Sequence, residues 1–284
     1  DTAPRPDHVL VCAIKNEIAY DIIAQIASRM INTSRVPKCF KIIRTILIYK
    51  KSDPTQIENW RPIFLCSVVR CVIEKILVSH IRNYIVFNQH QRGFTSTPGT
   101  YINTSILSAL LSDAKQNKKN ICIVFLDITK AFDNIGHNHL KKTLHSHGIP
   151  SKLTNIIIAL QEGNQTTIRT TRGKTKPIRI ERGVLQGSPL SPVLYNIVTD
   201  HILNELTEET ISKHYGYSLV PDLPNLTALG FADDTVTIGN SQEPALELTR
   251  TVIEHYQEIG LQVNLQKYTS INIKYLEFVL LRIK

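Results

Sequence analysis

Along the chain, short β-branched apolar runs alternate with stretches in which apolar residues recur every three or four positions. Ile42–Tyr49 is β-branched and runs into Lys50-Lys51-Ser52-Asp53-Pro54, which predicts a strand ending in a turn. Across Cys66–Ile85, Val69, Val72, Ile73, Ile76, Leu77 and Ile81 form the stripe of an amphipathic helix. Ile106, Leu107, Leu110 and Leu111 predict a second helix, closed by the polar run Asp113–Asn120. Ile121–Leu126 is short and wholly apolar, the pattern of a strand buried on both faces. Thr166–Thr170 and Lys176–Ile180 read as a hairpin around Thr171-Arg172-Gly173-Lys174-Thr175. Leu190–Leu206 reads as a helix opened by Gly187-Ser188-Pro189, and Leu226–Phe231 and Thr235–Ile238 as strands flanking Ala232-Asp233-Asp234. Ala245–Ile259 is a helix stopped by Gly260. Strands return after helices, with no internal repeat, so the expected class is α+β.

Composition narrows the function classes. At 284 residues, 42% hydrophobic and 20% charged, the chain is globular and long enough for one large domain or two modest ones. Its longest apolar runs, Val9–Ile14 and Ile121–Leu126, fall far short of the about 20 residues that span a bilayer, so no membrane partner is expected. Cysteines 12, 39, 66, 71 and 122 contain no C-x-x-C pair, which argues against a disulfide framework or zinc ribbon and for a reducing, intracellular setting. The chain opens on Asp1 and stops at Val279-Leu280-Leu281-Arg282-Ile283-Lys284 without a closing turn, so a segment of a longer polypeptide is expected.

Charge is uneven. Residues 1–120 carry 17 Lys and Arg against 8 Asp and Glu, the whole of the net +9, while 121–284 carry 16 of each. Within the latter, Arg169–Arg182 holds six basic residues against Glu181. Basic segments of this kind suit a polyanion, because neutralising phosphates drives sequence-independent binding.

Two features carry chemistry by spacing. Asp127 ends the buried-strand pattern after six apolar residues, and Asp233 and Asp234 stand together between two strands. An isolated Asp-Asp pair builds a turn and nothing more. Adjacent carboxylates beside a third at another strand end are costly unless a cation sits there, and carboxylate oxygens are the ligands Mg²⁺ takes. Two such ions about 3.5–4 Å apart stabilise the attacking and leaving oxygens of a phosphoryl transfer.

The motifs around these carboxylates resemble those of reverse transcriptases. They are Leu126-Asp127-Ile128-Thr129-Lys130-Ala131-Phe132-Asp133, Phe231-Ala232-Asp233-Asp234, and Arg182-Gly183-Val184-Leu185-Gln186-Gly187-Ser188-Pro189-Leu190-Ser191-Pro192. Asn59-Trp60-Arg61-Pro62-Ile63 precedes a helix containing Glu74, Gln91-Arg92-Gly93-Phe94 follows it, and Gly260-Leu261-Gln262-Val263-Asn264-Leu265-Gln266-Lys267 comes late. The likeness is nearest to non-LTR retrotransposons of the type that inserts into ribosomal RNA genes, and covers about residues 35–270. It implies an RNA-directed DNA polymerase with a right-hand fold of fingers and palm, the palm an antiparallel sheet backed by helices, the thumb absent. On that scheme residues 1–34 flank the domain, 35–120 form basic fingers with the 163–182 hairpin, and 121–162 with 183–284 form the palm.

The resemblance also implies roles. Asp127, Asp233 and Asp234 would hold two Mg²⁺ ions, with Mn²⁺ as the substitute, and Lys267 would act as general acid on pyrophosphate. Lys50, or Lys51 in its place, and Arg61 would grip the triphosphate as a point charge and a bidentate fork. Phe132 would lie beneath the sugar and exclude a 2′-hydroxyl, selecting dNTPs; Gln186 and Gly187 would meet the incoming nucleotide or the template base. Arg169, Arg172, Lys174 and Lys176 would bind nucleic acid, and Asp133 would hold the turn after its strand. The partners implied are an RNA template, a DNA primer or nicked target, and dNTPs, in the nucleus, with an endonuclease elsewhere in the parent polyprotein.

Other features read as structure. His137/His139 and His145/His147 lack a Cys or carboxylate at ligand spacing and suit a helix near a bound duplex better than zinc. Tyr84, Phe87 and Phe94 could stack bases, but core packing is the expectation. Two departures from the family stand out: Thr95 where a basic residue often follows Gly-Phe, and Tyr275-Leu276-Glu277 where a glycine ends the primer-grip turn. An RNA-directed RNA polymerase shares the carboxylate pattern, and a non-catalytic RNA-binding remnant would keep the basic segments; Phe132 argues against the first.

Overall fold

The computed structural model describes residues 5–50, 53–170, 173–274 and 277–281. In chain order, helix α1 (Glu17–Thr33) precedes strands β1 (Ile42–Tyr49) and β2 (Trp60–Leu65), then helices α2 (Val68–Ile81) and α3 (Gly99–Gln116). Strands β3 (Ile121–Leu126) and β4 (Ile128–Thr129) lead to helices α4 (His137–Ser146) and α5 (Ser151–Gln161) and to strands β5 (Asn164–Thr170), β6 (Gly173–Lys174) and β7 (Ile178–Ile180). Helices α6 (Ser191–Leu206) and α7 (Glu209–Tyr215), the β8 (Ala228–Phe231) and β9 (Asp234–Gly239) hairpin and helix α8 (Gln242–Glu258) follow. Strands β10 (Gln262–Val263), β11 (Thr269–Lys274) and β12 (Glu277–Leu281) come last.

The chain packs as two units, Asp1–Val86 with Phe132–Leu194, and Phe87–Ala131 with Tyr195–Lys284. In the first, β1 pairs antiparallel with β2 and parallel with β5, and β5 pairs with β6 and β7. Ile43, Cys66 and Leu185 form a core there, with Phe64, Cys71 and Ile180 packed against it. The predicted helix over 66–85 is shorter at both ends. Ser67 takes the Arg70 N–H on its hydroxyl at 3.1 Å, which fixes the start of α2 at Val68. The hairpin is also rearranged: Pro177 has no N–H to give a ladder, so Arg169 and Thr170 pair with Lys174 and Gly173 instead.

The second unit holds an antiparallel sheet in the order β12-β11-β3-β9-β8. Its central strand β3 is buried at every position except Phe125, as its unbroken apolar run requires. Leu110 and Ala114 of α3 pack on Ile121, Ile123, Leu229 and Ile238, giving the sheet backed by helices that was expected. The hairpin strands shift by a few residues: β8 begins at Ala228, and β9 reaches back to Asp234, which pairs with Phe231.

Charge follows this division rather than the linear sequence. The first unit carries 22 Lys and Arg against 10 Asp and Glu, a net +12, and the second carries 11 against 14, a net −3.

Candidate active site

The three aspartates all lie in the second unit, and strand register explains how they meet. Leu126 pairs with Thr235 at the end of β3, and continuing that register by one residue sets Asp127 opposite Asp234. Asp233 occupies the turn between β8 and β9. Beyond Asp127 the chain continues into β4, which pairs with β10, and the Asn264 N–H donates to the Asp127 carbonyl at 2.7 Å. That ladder returns Lys267 over Asp127, where its ammonium lies 3.0 and 2.9 Å from the two carboxylate oxygens. The pair is partly open to water, with the lysine side chain 61% and the aspartate 31% exposed.

Partial burial, then the charges of Asp233 and Asp127, push the Asp234 carboxyl above the usual carboxylate range, against the pull of Lys267. Thr235, the next residue, is buried and hydrogen-bonds through its hydroxyl to the Tyr256 hydroxyl at 2.8 Å beneath the turn.

The donor set suits a hard divalent cation in kind. Three carboxylates share two adjacent strand ends, Asp233 and Asp127 raise the cost of charging Asp234, and an ammonium spans both oxygens of Asp127. Among the described residues, however, no three His, Cys, Asp or Glu side chains close on one point at metal-ligand spacing.

The remaining expected residues lie in the first unit. Lys50 and Arg61 are exposed near the end of the β1–β2 hairpin, which the tilted Tyr49 and Trp60 rings stiffen at 5.3 Å between centroids. Gln186 and Gly187 dock on the same strand β2. The Phe64 N–H donates to the Gln186 carbonyl at 2.7 Å, and Gly187 sits at φ +108 where an added Cβ would lie 2.8 Å from the Phe64 carbonyl oxygen. Phe132 is half-buried in a short 3₁₀ turn, and its carbonyl accepts from Val184 N–H at 2.8 Å. Asp133 accepts from the Gln186 side-chain amide at 3.0 Å, orienting that amide.

Arg169 and Lys174 are cross-strand partners, both exposed. Like charges placed opposite each other destabilise a ladder unless an anion lies over them. Lys176 is exposed between β6 and β7, while Arg172, Lys51, Tyr275 and Leu276 lie outside the described residues.

Two expectations are corrected. Tyr84 and Phe94 are not core residues; they stand 46% and 43% exposed. Phe94, with Arg92, Tyr101 and Phe231, lines a hollow of about 450 Å³ beside the aspartate turn. His137, His139 and His145 do lie on a helix, α4, with His137 Nε2 2.9 Å from the Gly183 carbonyl.

Sequence reading missed a buried polar hub in the first unit. Arg70 and Glu74 are fully buried and paired at 2.7 Å. Arg70 also donates to the Phe40 carbonyl at 2.7 Å, Asn164 Oδ1 at 2.9 Å and the Leu160 carbonyl at 3.0 Å. The Ser188 hydroxyl donates to the other Glu74 oxygen at 2.6 Å, tying the hub to the segment just after Gly187. The available signal was an i,i+4 charge pair lying on the apolar side of a predicted helix.

Comparisons with known proteins bear on the family and the fold. A family model described as reverse transcriptase (RNA-dependent DNA polymerase) matches residues 48–280. The chain is 31% identical to a Pol polyprotein from the type-1 retrotransposable element R2 of Popillia japonica, over 84% of this chain and 33% of that protein. It is 27% identical to the type-2 element R2DM polyprotein of Drosophila melanogaster, over 96% of this chain and 25% of that protein. The chain therefore spans a quarter to a third of the length of these relatives. Among solved structures, telomerase from Candida tropicalis in complex with a fragment of telomeric RNA superposes with a TM-score of 0.59 at 15% identity, over 89% of this chain and 45% of that one. At that identity the likeness concerns the fold.

Proposed function

The chain belongs to the reverse transcriptase (RNA-dependent DNA polymerase) family, and from that membership we propose that it is the RNA-directed DNA polymerase segment of a non-LTR retrotransposon polyprotein of the rDNA-inserting type. It extends a DNA 3′ end on an RNA template. In the parent polyprotein, with an endonuclease on the same chain, that end is nicked target DNA in the nucleus. The observation that carries the reading is the placement of Asp127 opposite Asp234, with Asp233 in the adjoining turn and Lys267 over Asp127.

Reverse transcriptases use divalent metal ions; here Asp127, Asp233 and Asp234 would hold two Mg²⁺, or Mn²⁺ in their place. When bound, such ions supply the positive charge that favours attack by the primer 3′-hydroxyl and departure of pyrophosphate. Lys267 carries the proton that the departing pyrophosphate takes up. Lys50 and Arg61 bind the triphosphate of the dNTP, and Gln186, oriented by Asp133, meets the incoming nucleotide or the template base together with Gly187. The Phe132 ring occupies the space a 2′-hydroxyl would need. Arg169, Lys174 and Lys176 neutralise template or primer phosphates.

Primer extension on an RNA template with Mg²⁺ tests the proposal, with dNTP incorporation expected and rNTP incorporation not. Incorporation of rNTPs would make the chain an RNA-directed RNA polymerase. Salt-sensitive RNA binding without incorporation, indifferent to substitution of Asp127 and Asp233, would make it a non-catalytic binder. Two further outcomes follow. Phe132→Ala is expected to improve rNTP use relative to dNTP by about 10–100-fold in competition assays, the range one steric contact provides. Replacing Arg169 and Lys174 by alanine together is expected to lower the slope of log K for RNA against log salt by about 1.4–1.8. Thermal stability should not fall, because the two cations oppose each other across the ladder.

A further inference from the structure

Ala232, the residue before the paired aspartates, sits in the left-handed region at φ +58. A residue with a Cβ adopts that conformation less readily than glycine, so something must hold it. One side chain grips its peptide on both sides. Gln91 Oε1 accepts from the Ala232 N–H at 3.0 Å and from the Gly93 N–H at 2.8 Å, and Gln91 Nε2 donates to the Ala232 carbonyl at 3.3 Å. Gln91 is 6% exposed, so water competes little for these bonds.

Gly93 makes the approach possible. A Cβ there would lie 1.9 Å from Ala232 N, 2.7 Å from its Cα and 2.8 Å from the Phe231 carbonyl carbon, all of them backbone atoms. The segment is itself pinned to the outer edge of β8. The Gly230 N–H donates to the His90 carbonyl at 2.9 Å, and the Arg92 N–H to the Gly230 carbonyl at 3.0 Å. Asn196 Nδ2 donates to the Gly93 carbonyl at 2.9 Å. All these residues belong to the second unit.

We propose that Gln91 and Gly93 are positioning residues that hold the Phe231–Asp234 turn in its left-handed form and thereby keep Asp233 and Asp234 in register with Asp127, without touching substrate. The consequence for rate rests on the polymerase reading above; the consequence for the turn does not. Gln91→Met keeps side-chain length while removing both donor and acceptor. The Ala232 amide is expected to exchange with solvent at least about tenfold faster in that variant, while the amides of Val124 in β3 and Val236 in β9 keep their rates. Single-turnover dNTP incorporation is expected to fall at least about tenfold, with KM for dNTP and affinity for primer–template changed by less than about threefold. Gly93→Ala is expected to reproduce the rate loss by displacing the same backbone.

Ala232→Gly supplies an independent arm, since glycine takes the left-handed conformation unaided. The loss caused by Gln91→Met is expected to be at least about threefold smaller in the Ala232→Gly background. Unchanged Ala232 exchange in Gln91→Met, or acceleration spread equally over β3 and β9, would overturn the clamp. A loss confined to KM or to primer–template affinity would make Gln91 a substrate contact instead, and overturn it too. Should the parent chain incorporate no nucleotide, the polymerase reading falls, and the exchange rates still decide whether Gln91 holds the turn.

Discussion

Asp233→Asn is expected to reduce nucleotide incorporation on an RNA template by at least about a thousandfold, roughly 4 kcal/mol of transition-state stabilisation at about 1.4 kcal/mol per tenfold. Asparagine has the same shape and retains one oxygen, so the turn between β8 and β9 has no steric reason to move. What it lacks is the charge that draws a divalent cation between two strand ends. The same change should leave thermal stability equal or higher without added metal, because Asp233 is one of the charges that push the Asp234 carboxyl up. A ligand that binds only the folded state raises Tm, and by more the tighter it binds. Millimolar Mg²⁺ is therefore expected to raise the Tm of the parent more than that of the variant. An equal Mg²⁺ response in the two chains, or incorporation within tenfold of the parent, would remove Asp233 from the ion site.

The strand ends that carry Asp127, Asp233 and Asp234 are legible in sequence because each strand pattern is local. Asp127 ends an apolar run that reads most simply as a buried strand, and Asp233-Asp234 interrupts two strand patterns. Register did the rest, since antiparallel pairing of β3 with β9 brings those ends together. Helices α1 and α5 are not legible in the apolar spacing. In α1 the buried residues are Ile23, Ala27 and Met30, while Ile18, Tyr20 and Ile22 face outward and blur the stripe. Phe94 differs in the opposite direction: its ring suits a core, but at φ +59 it stands at the rim of the hollow beside Phe231. Contacts made by polar side chains across long separations leave no periodic trace. Gln91 reaches a peptide 141 residues away and Glu74 a hydroxyl 114 residues away. Each motif was visible in the sequence, and the bond that gives it a purpose was not.

Glu74→Gln is expected to be the most destabilising conservative change in the first unit, costing about 3–5 kcal/mol and lowering Tm by roughly 10 °C. Arg70 and Glu74 are wholly buried, and both carboxylate oxygens are in use, one by Arg70 and one by Ser188. An amide has one acceptor oxygen. Facing Arg70 it leaves the Ser188 hydroxyl against an N–H group, and facing Ser188 it turns a donor towards a guanidinium whose charge is no longer balanced. Replacing both partners, Arg70→Met with Glu74→Met, removes the charges together, and buried pairs exchanged for apolar residues of similar volume are often no less stable. The double variant is therefore expected to recover most of the lost Tm. Its catalysis should not recover with it. Ser188 would have lost the acceptor that anchors the segment following Gln186 and Gly187, so the KM for dNTP is expected to stay raised severalfold while RNA affinity holds. A double variant as unstable as Glu74→Gln would show that the hub's carbonyl and Asn164 contacts, rather than its charges, stabilise the unit. A double variant with the parent's KM would show that Ser188 positions nothing the nucleotide uses.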